Sequence, residues 1–109
     1  MYDRRPEGYH MYLADGIIRC RYREGFDREV MMEPGRAYEV RIELPPTSNL
    51  FKAGHRIRID ISSSNFPRFD LNPNTGEPVG RHTRVQPADN VVFLDRERPS
   101  LVVLPIVSG

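Results

Sequence analysis

The 109-residue chain has a single cysteine, no tryptophan and only one lysine. One cysteine cannot form an intrachain disulfide or a thiolate zinc cluster. No apolar run approaches the ~20 residues that cross a bilayer. No apolar stretch follows Arg4 and Arg5, so no signal peptide is visible. We therefore expect a cytoplasmic protein that has no membrane partner.

The chain also has no large excess of positive or negative charge. Sixteen basic residues against 15 acidic ones give a net charge of +1, which argues against a nucleic-acid partner. All the basic residues except Lys52 are arginine. This bias suits planar ion pairs within the protein or at an interface, or it simply reflects a GC-rich genome. The length is that of one domain, since ~100–200 residues per domain is usual.

Apolar and polar residues alternate in three segments, 16–23, 37–44 and 55–62, and no segment shows helical spacing. Alternation of this length predicts half-buried strands of an antiparallel sheet. The residues expected on the buried face are Ile18, Cys20, Tyr22, Tyr38, Val40, Ile42, Leu44, Ile57, Ile59 and Ile61.

Segments 90–95 and 101–107 are apolar on both faces, which is typical of strands covered on both sides. Pro105 lacks an N–H group and favours a sheet edge or a strand end. Five or six strands separated by Pro and Gly turns predict a β-sandwich or a partial barrel.

The connection from about residue 63 to residue 81 contains no clear strand, and loops longer than ~12–15 residues are usually functional or disordered. Its aromatic and proline residues predict an ordered loop that docks on a partner, because exposed phenylalanines favour being covered. Alternatively, the loop packs on itself and Arg68 pairs with Asp70 or another nearby carboxylate. The candidate docking residues are Phe66, Pro67, Arg68, Phe69, Asp70 and Asn72.

Neither a nucleophile nor a metal site is predicted. The residues that could form a catalytic triad are Ser62, Ser63, Ser64, His55, His82, Asp60 and Asp70. The Gly-x-Ser-x-Gly elbow that carries a nucleophilic serine occurs nowhere in the chain. Residues 70–76 space oxygen ligands as a calcium loop does, but the glycine is one place late and Arg81 occupies the twelfth position. The alternative is an Asx turn, in which these side chains bond the local backbone. We predict no catalytic residues, cofactor or metal.

Four segments together carry a family resemblance: 15–23 (DGIIRCRYR), 54–59 (GHRIRI), 63–76 (SSNFPRFDLNPNTG) and 98–105 (RPSLVVLP). In order and spacing they resemble the C-terminal domain of X-prolyl dipeptidyl aminopeptidases and cocaine-esterase-like acyl esterases. The departures are Cys20 where alanine is expected, Leu71 where arginine is usual, and Arg98 where histidine often precedes Pro-Ser.

The resemblance implies an all-β, antiparallel jelly-roll β-sandwich, similar to galactose-binding domains, of which residues 1–109 form the C-terminal part. In this family the domain is non-catalytic, and the catalytic triad belongs to an upstream α/β-hydrolase domain. No residue of this chain matches a family catalytic residue. The partner implied is therefore that catalytic domain, and the chain alone is expected to have no activity.

Three functions remain open at this stage. The first is a module that docks on the hydrolase domain, helps shape its active-site entrance and, when uncovered, forms a homo-oligomer. The second is a carbohydrate-binding jelly roll, using Tyr2, Tyr9, Tyr12 and Phe66. The third is an anionic-surface binder that uses Arg19, Arg21 and Arg23, unless these arginines pair across strands with Glu39 and Glu43.

Overall fold

The computed structural model describes residues 1–107. The chain divides into two units, Met1–Ser62 and Ser63–Gly109, which are described separately. Residues 108 and 109, the end of the predicted sandwich, lie outside the described residues. No helix in the described part of the chain is long and apolar enough to cross a membrane.

The first unit holds a three-stranded antiparallel sheet. Strand β1 is Tyr2–Arg4, β2 is His10–Tyr12 and β3 is Arg56–Arg58, and β1 lies between the other two. A turn joins β1 to β2, with Pro6 at its second position and Gly8 at its fourth, where type I turns favour these residues. The Gly8 N–H donates to the Arg5 carbonyl at 3.0 Å and closes the turn.

The register gives the sheet two different faces. One face carries aromatic and basic side chains: Tyr2, Arg4, His10, Tyr12, Arg56 and Arg58. The opposite face carries Asp3, Met11 and Ile57. Among the described residues, Asp3 and Ala14 are the ones that are fully buried. The sheet therefore has a very small core of its own.

Segment 16–23 is not the predicted strand. Its second half forms a 3₁₀ helix, Cys20–Tyr22, in a turn that runs to residue 30. The Arg23 guanidinium closes this turn by donating to the carbonyls of Cys20 at 2.9 Å and Val30 at 2.6 Å. It also lies 4.5 Å from the centre of the Tyr38 ring. Side-chain bonds to local carbonyls thus replace the strand ladder that the alternation predicted.

Segment 55–62 contributes only β3, and its isoleucines are not buried as predicted, since Ile57 is 48% exposed. No strand is assigned to 37–44; Tyr38, Val40 and Leu44 are half-buried on the predicted face, but Ile42 of that face is 46% exposed. Segments 90–95 and 101–107 are also not strands, contrary to prediction. Within residues 1–107, none of these segments joins a strand ladder.

Turns dominate the second unit. Asp95 accepts the backbone N–H groups of Glu97 and Arg98 at 3.0 and 2.8 Å, which reverses the chain between the two apolar segments. The Arg98 guanidinium lies 3.8 Å from the Phe93 ring centre. The apolar side chains around this turn are exposed, including Val91, Leu94, Leu101 and Val103.

The fold is all-β, as predicted, with a single antiparallel sheet and a single short 3₁₀ turn among residues 1–107. Within these residues, no second sheet packs on this open sheet. This arrangement agrees with an incomplete sandwich. Most large apolar side chains of the described residues are exposed, including Phe26, Leu50 and Ile106.

Gly16 marks the closest approach between the 15–16 segment and the extended 42–44 segment, because a Cβ there would overlap the Glu43 carbonyl oxygen. We expect Gly16→Ala to destabilise the chain by about 1–3 kcal/mol through overpacking. Urea unfolding measures the loss, and amide chemical shifts of residues 42–44 locate it. At Gly35 a Cβ would meet nothing but φ is +80°, so Gly35→Ala tests backbone strain alone and should leave those shifts unchanged.

Candidate functional site

A buried carboxylate on the central strand organises the first unit. Asp3 is 2% exposed. Its two carboxylate oxygens each lie 2.9 Å from His55 Nδ1, and the Asn49 amide donates to one of them at 3.5 Å. The cluster therefore joins β1 to the segment that precedes β3.

The turn before β3 positions His55. Its backbone N–H donates to the Lys52 carbonyl at 3.0 Å, and Gly54 adopts a φ of +83°, which glycine allows without steric cost. Burial by itself would raise the pKa of Asp3. The hydrogen bonds from His55 and Asn49, with the positive charges of His55 and Arg5, outweigh burial and lower the pKa below its usual value.

A groove of about 350 Å³ opens beside this cluster. Its lining residues are Asp3, Arg5, Glu7, Met11, Asn49, Leu50, Lys52 and His55. A carboxylate–imidazole pair can orient a general base, but nucleophilic catalysis also needs a hydroxyl or thiol within reach of the base. None of the residues lining this groove has either group. The Asp3–His55 pair joins β1 to the segment that precedes β3 and lines this groove.

Two of the serines considered as nucleophiles accept hydrogen bonds within the second unit. The Ser64 hydroxyl accepts the Phe66 N–H at 3.3 Å, and the Ser63 hydroxyl accepts the Asn90 amide at 3.0 Å. The calcium-like spacing of 70–76 also has a local role, since the Asn72 side chain accepts the Asn74 N–H at 3.1 Å. This is the Asx turn that was the alternative. Among residues 1–107, no cluster of His, Cys, Asp or Glu could hold a metal ion.

The predicted docking residues lie on a well-tied loop. The Phe69 N–H donates to the Asn65 carbonyl at 3.1 Å, and the peptide bond between Phe66 and Pro67 is cis. Phe69 is half-buried beneath the Arg68 guanidinium, which lies 5.5 Å from the ring centre. Phe66 is 66% exposed. Pro67, Arg68, Asp70 and Asn72 are exposed beside it.

Glu77 closes the far end of this loop. Its carboxylate accepts the hydroxyls of Thr83 and Thr75, each at 2.7 Å, and also the Thr83 backbone N–H. The Thr83 and Thr75 hydrogen bonds, together with the charge of Arg84, lower the pKa of Glu77 to about 2.

The three arginines proposed as an anion-binding stripe do not form one. Arg21 pairs with Glu29 at 3.3 Å, and Arg23 lies 3.6 Å from Glu24 besides bonding two carbonyls. Both side chains are nearly buried, at 11% and 8% exposed. The expected acidic partners, Glu39 and Glu43, are therefore replaced by residues of the same turn.

Sequence reasoning missed Asp3 and Asn49. Asp3 lies 52 residues from His55 and Asn49 lies 46 residues from Asp3, so no local spacing links them. One feature could have pointed to Asp3. It is an acidic residue in the middle of a short strand, between Tyr2 and Arg4.

Comparison with known proteins identifies the family of this chain. Residues 1–103 match the model of the X-Pro dipeptidyl-peptidase C-terminal non-catalytic domain. The match covers most of the chain, and the chain therefore belongs to this family of non-catalytic domains, as the sequence resemblance predicted.

Individual relatives agree with this assignment. The chain is 44% identical over 104 residues to the cocaine esterase of Rhodococcus sp. strain MB1 Bresler. It is 27% identical over 119 aligned positions to proteins of Mycobacterium bovis and Mycobacterium tuberculosis that are named as predicted serine esterases. Each alignment covers 94% of this chain but only 17–18% of the relative. No solved structure gives a significant match.

The contact between Asp3 and His55 leads to a prediction about stability. We expect His55→Leu to destabilise the chain more than the double variant Asp3→Leu/His55→Leu, because the single change leaves a buried carboxylate without its main partner. Midpoints of urea unfolding measure both, and His82→Leu, at an exposed histidine, is the control. Additive losses at positions 3 and 55 would contradict the pairing.

Glu77 generates a prediction about pH. Its folded pKa of about 2 lies below the ordinary value of 4.5, so its contribution to stability is present above about pH 4.5 and is lost as the pH falls toward 2. We expect Thr83→Val to raise the pKa of Glu77 toward 4.5, as measured by NMR titration of its side chain. Thr47→Val, at an exposed threonine outside the loop, should leave this titration unchanged.

Proposed function

We propose that this chain is a docking module that covers, and is covered by, the catalytic domain of a serine hydrolase. The observation that carries the proposal is the exposed apolar surface of the second unit. Leu94 and Val103 are 79% and 82% exposed, and Phe66 and Leu71 project from the loop before them. Large exposed apolar surfaces on soluble domains mark interaction sites.

The loop of residues 63–81 suits docking because its conformation is held by local bonds before any partner arrives. Hydrogen bonds at Phe69, Asn74 and Glu77 fix its backbone, while Phe66 stays exposed. A surface that is ordered in advance loses less conformational entropy on binding. We propose that Phe66 is the anchor and that the surrounding residues Pro67, Arg68, Phe69, Asp70 and Asn72 shape the contact.

The proposed catalytic partner is an upstream α/β-hydrolase domain, and the proposed role of this chain includes shaping the entrance to its active site. Esters are the substrate class that we favour, because the relatives are named as esterases. The family description points to amide bonds that follow an X-Pro dipeptide as a second class. The isolated chain is proposed to be inactive, to self-associate through the same apolar surface and to be cytoplasmic.

Carbohydrate binding has weaker support. A sugar site needs aromatic rings that are open on one side, with polar groups beside them. Tyr2 and Tyr12 pack edge to face, with ring centres 6.0 Å apart, and Arg5 covers Tyr9 at 5.2 Å. These contacts engage three of the four rings that the alternative would use and leave Phe66 exposed.

A chimera tests the docking proposal. We propose to replace the matching region of the Rhodococcus cocaine esterase with residues 1–103 of this chain, which aligns at 44% identity. The chimera should retain hydrolysis of an aryl ester and a cooperative thermal transition. Phe66→Asp should lower its Tm by about 4 °C or more, as expected for loss of a buried aromatic contact. Hydrolysis should fall with it.

The matched control is Phe26→Asp. Phe26 is 89% exposed and lies in the 20–30 turn of the first unit, outside the docking loop in the sequence. The control should leave Tm and hydrolysis at the level of the chimera. Equal effects of both substitutions, or no effect of Phe66→Asp, would contradict docking through the loop. Hydrolysis by the isolated chain would contradict the non-catalytic role.

A further inference from the structure

One row of the sheet in the first unit places like charges side by side. Arg4 on the central strand is registered opposite Arg56 on β3 and opposite His10 on β2, and all three side chains lie on the same face. Directly opposed residues of an antiparallel pair have Cβ atoms about 4.5–5.5 Å apart. The Arg4 and Arg56 side chains therefore leave the sheet side by side.

Nothing in the described chain neutralises this pair. The neighbouring Arg58 is occupied, since its Nε donates to Asp60 at 2.8 Å and another guanidinium N–H bonds His10 Nδ1. Within residues 1–107, neither Arg4 nor Arg56 has a carboxylate within ion-pair distance. Both side chains are exposed. Like charges directly opposite each other destabilise a sheet, so this row works against the fold that contains it.

We propose that the Arg4–Arg56 pair is a docking site for two neighbouring carboxylates on an acidic protein segment. Each guanidinium presents a planar fork that matches a carboxylate with two parallel hydrogen bonds. Two carboxylates would convert the repulsion into mutual neutralisation, which gives the partner charge complementarity that the chain itself lacks. The proposal goes beyond the docking loop and does not depend on where Phe66 binds.

A protein partner fits this surface better than a nucleic acid. The net charge of the chain is only +1, and nucleic-acid binding draws on many phosphate contacts. The aromatic residues of this face offer little ring surface for base stacking, because Tyr2 is half-buried and packs edge to face against Tyr12. Two adjacent unpaired arginines instead supply a compact, directional site for side-chain carboxylates.

Peptide binding tests the site directly. The probe is a fluorescein-labelled hexaglutamate peptide, titrated with the 109-residue chain at low salt and followed by fluorescence anisotropy. We expect binding that weakens about tenfold in Arg4→Gln and in Arg56→Gln, since each removes one charged fork. Arg36→Gln is the matched control, because Arg36 is equally exposed but already pairs with Glu33 at 3.5 Å. It should bind like the unchanged chain.

Thermal stability without any peptide gives a second readout. Arg56→Gln removes one of two opposed charges, so we expect it to raise Tm by about 1–5 °C. High salt screens charges and should shrink this gain. If Arg56→Gln is more stable and also binds the peptide less tightly, Arg56 serves the interaction at the expense of stability.

Four results would overturn the proposal. The unchanged chain could show no binding of hexaglutamate at millimolar concentration, or Arg56→Gln could bind the peptide equally well. Tighter binding of a single-stranded DNA oligonucleotide than of hexaglutamate would assign the row to nucleic acid. Self-association that Arg56→Gln abolishes, seen as a change in solution mass, would assign it to a second copy of the chain.

Discussion

The hydrogen-bonded pair of Asp3 and His55 joins parts of the chain that are 52 residues apart, and the first unit is arranged around it. Each strand of the sheet is only three residues long, so backbone ladders contribute little. A buried polar pair is weak evidence of net stability, but it fixes register effectively. A slip of β1 by one residue would place Tyr2 or Arg4, and not a carboxylate, against the imidazole.

The two faces of this sheet therefore have separate roles. One face holds Asp3 and its polar partners, whereas the other exposes the arginine row. The second unit follows the same logic, since Glu77 and Asp95 tie its turns through local hydrogen bonds while its apolar side chains remain uncovered. Local polar bonds set the conformation in both units, and most large apolar side chains of the described residues remain exposed.

The sequence allowed the all-β class, the family and the Asx turn at Asn72 to be predicted, because each depends on local pattern or on motifs. Alternation also identified Tyr38, Val40 and Leu44 as half-buried, although Ile42 of the same face is exposed. It could not show whether a segment pairs in a ladder, and the predictions of strands at 16–23, 37–44, 90–95 and 101–107 are wrong. The Asp3–His55 pair was beyond prediction from one sequence, since only the tertiary fold brings these residues together.

Pro105 has a consequence for the uncovered chain. Residues 101–107 form an uncharged, valine-rich run, the composition that favours cross-β aggregation when it is exposed. Pro105 interrupts this run and has no N–H group to donate, so a second copy stacked on it cannot complete a continuous ladder. A proline at this position therefore opposes β-aggregation of an exposed apolar segment.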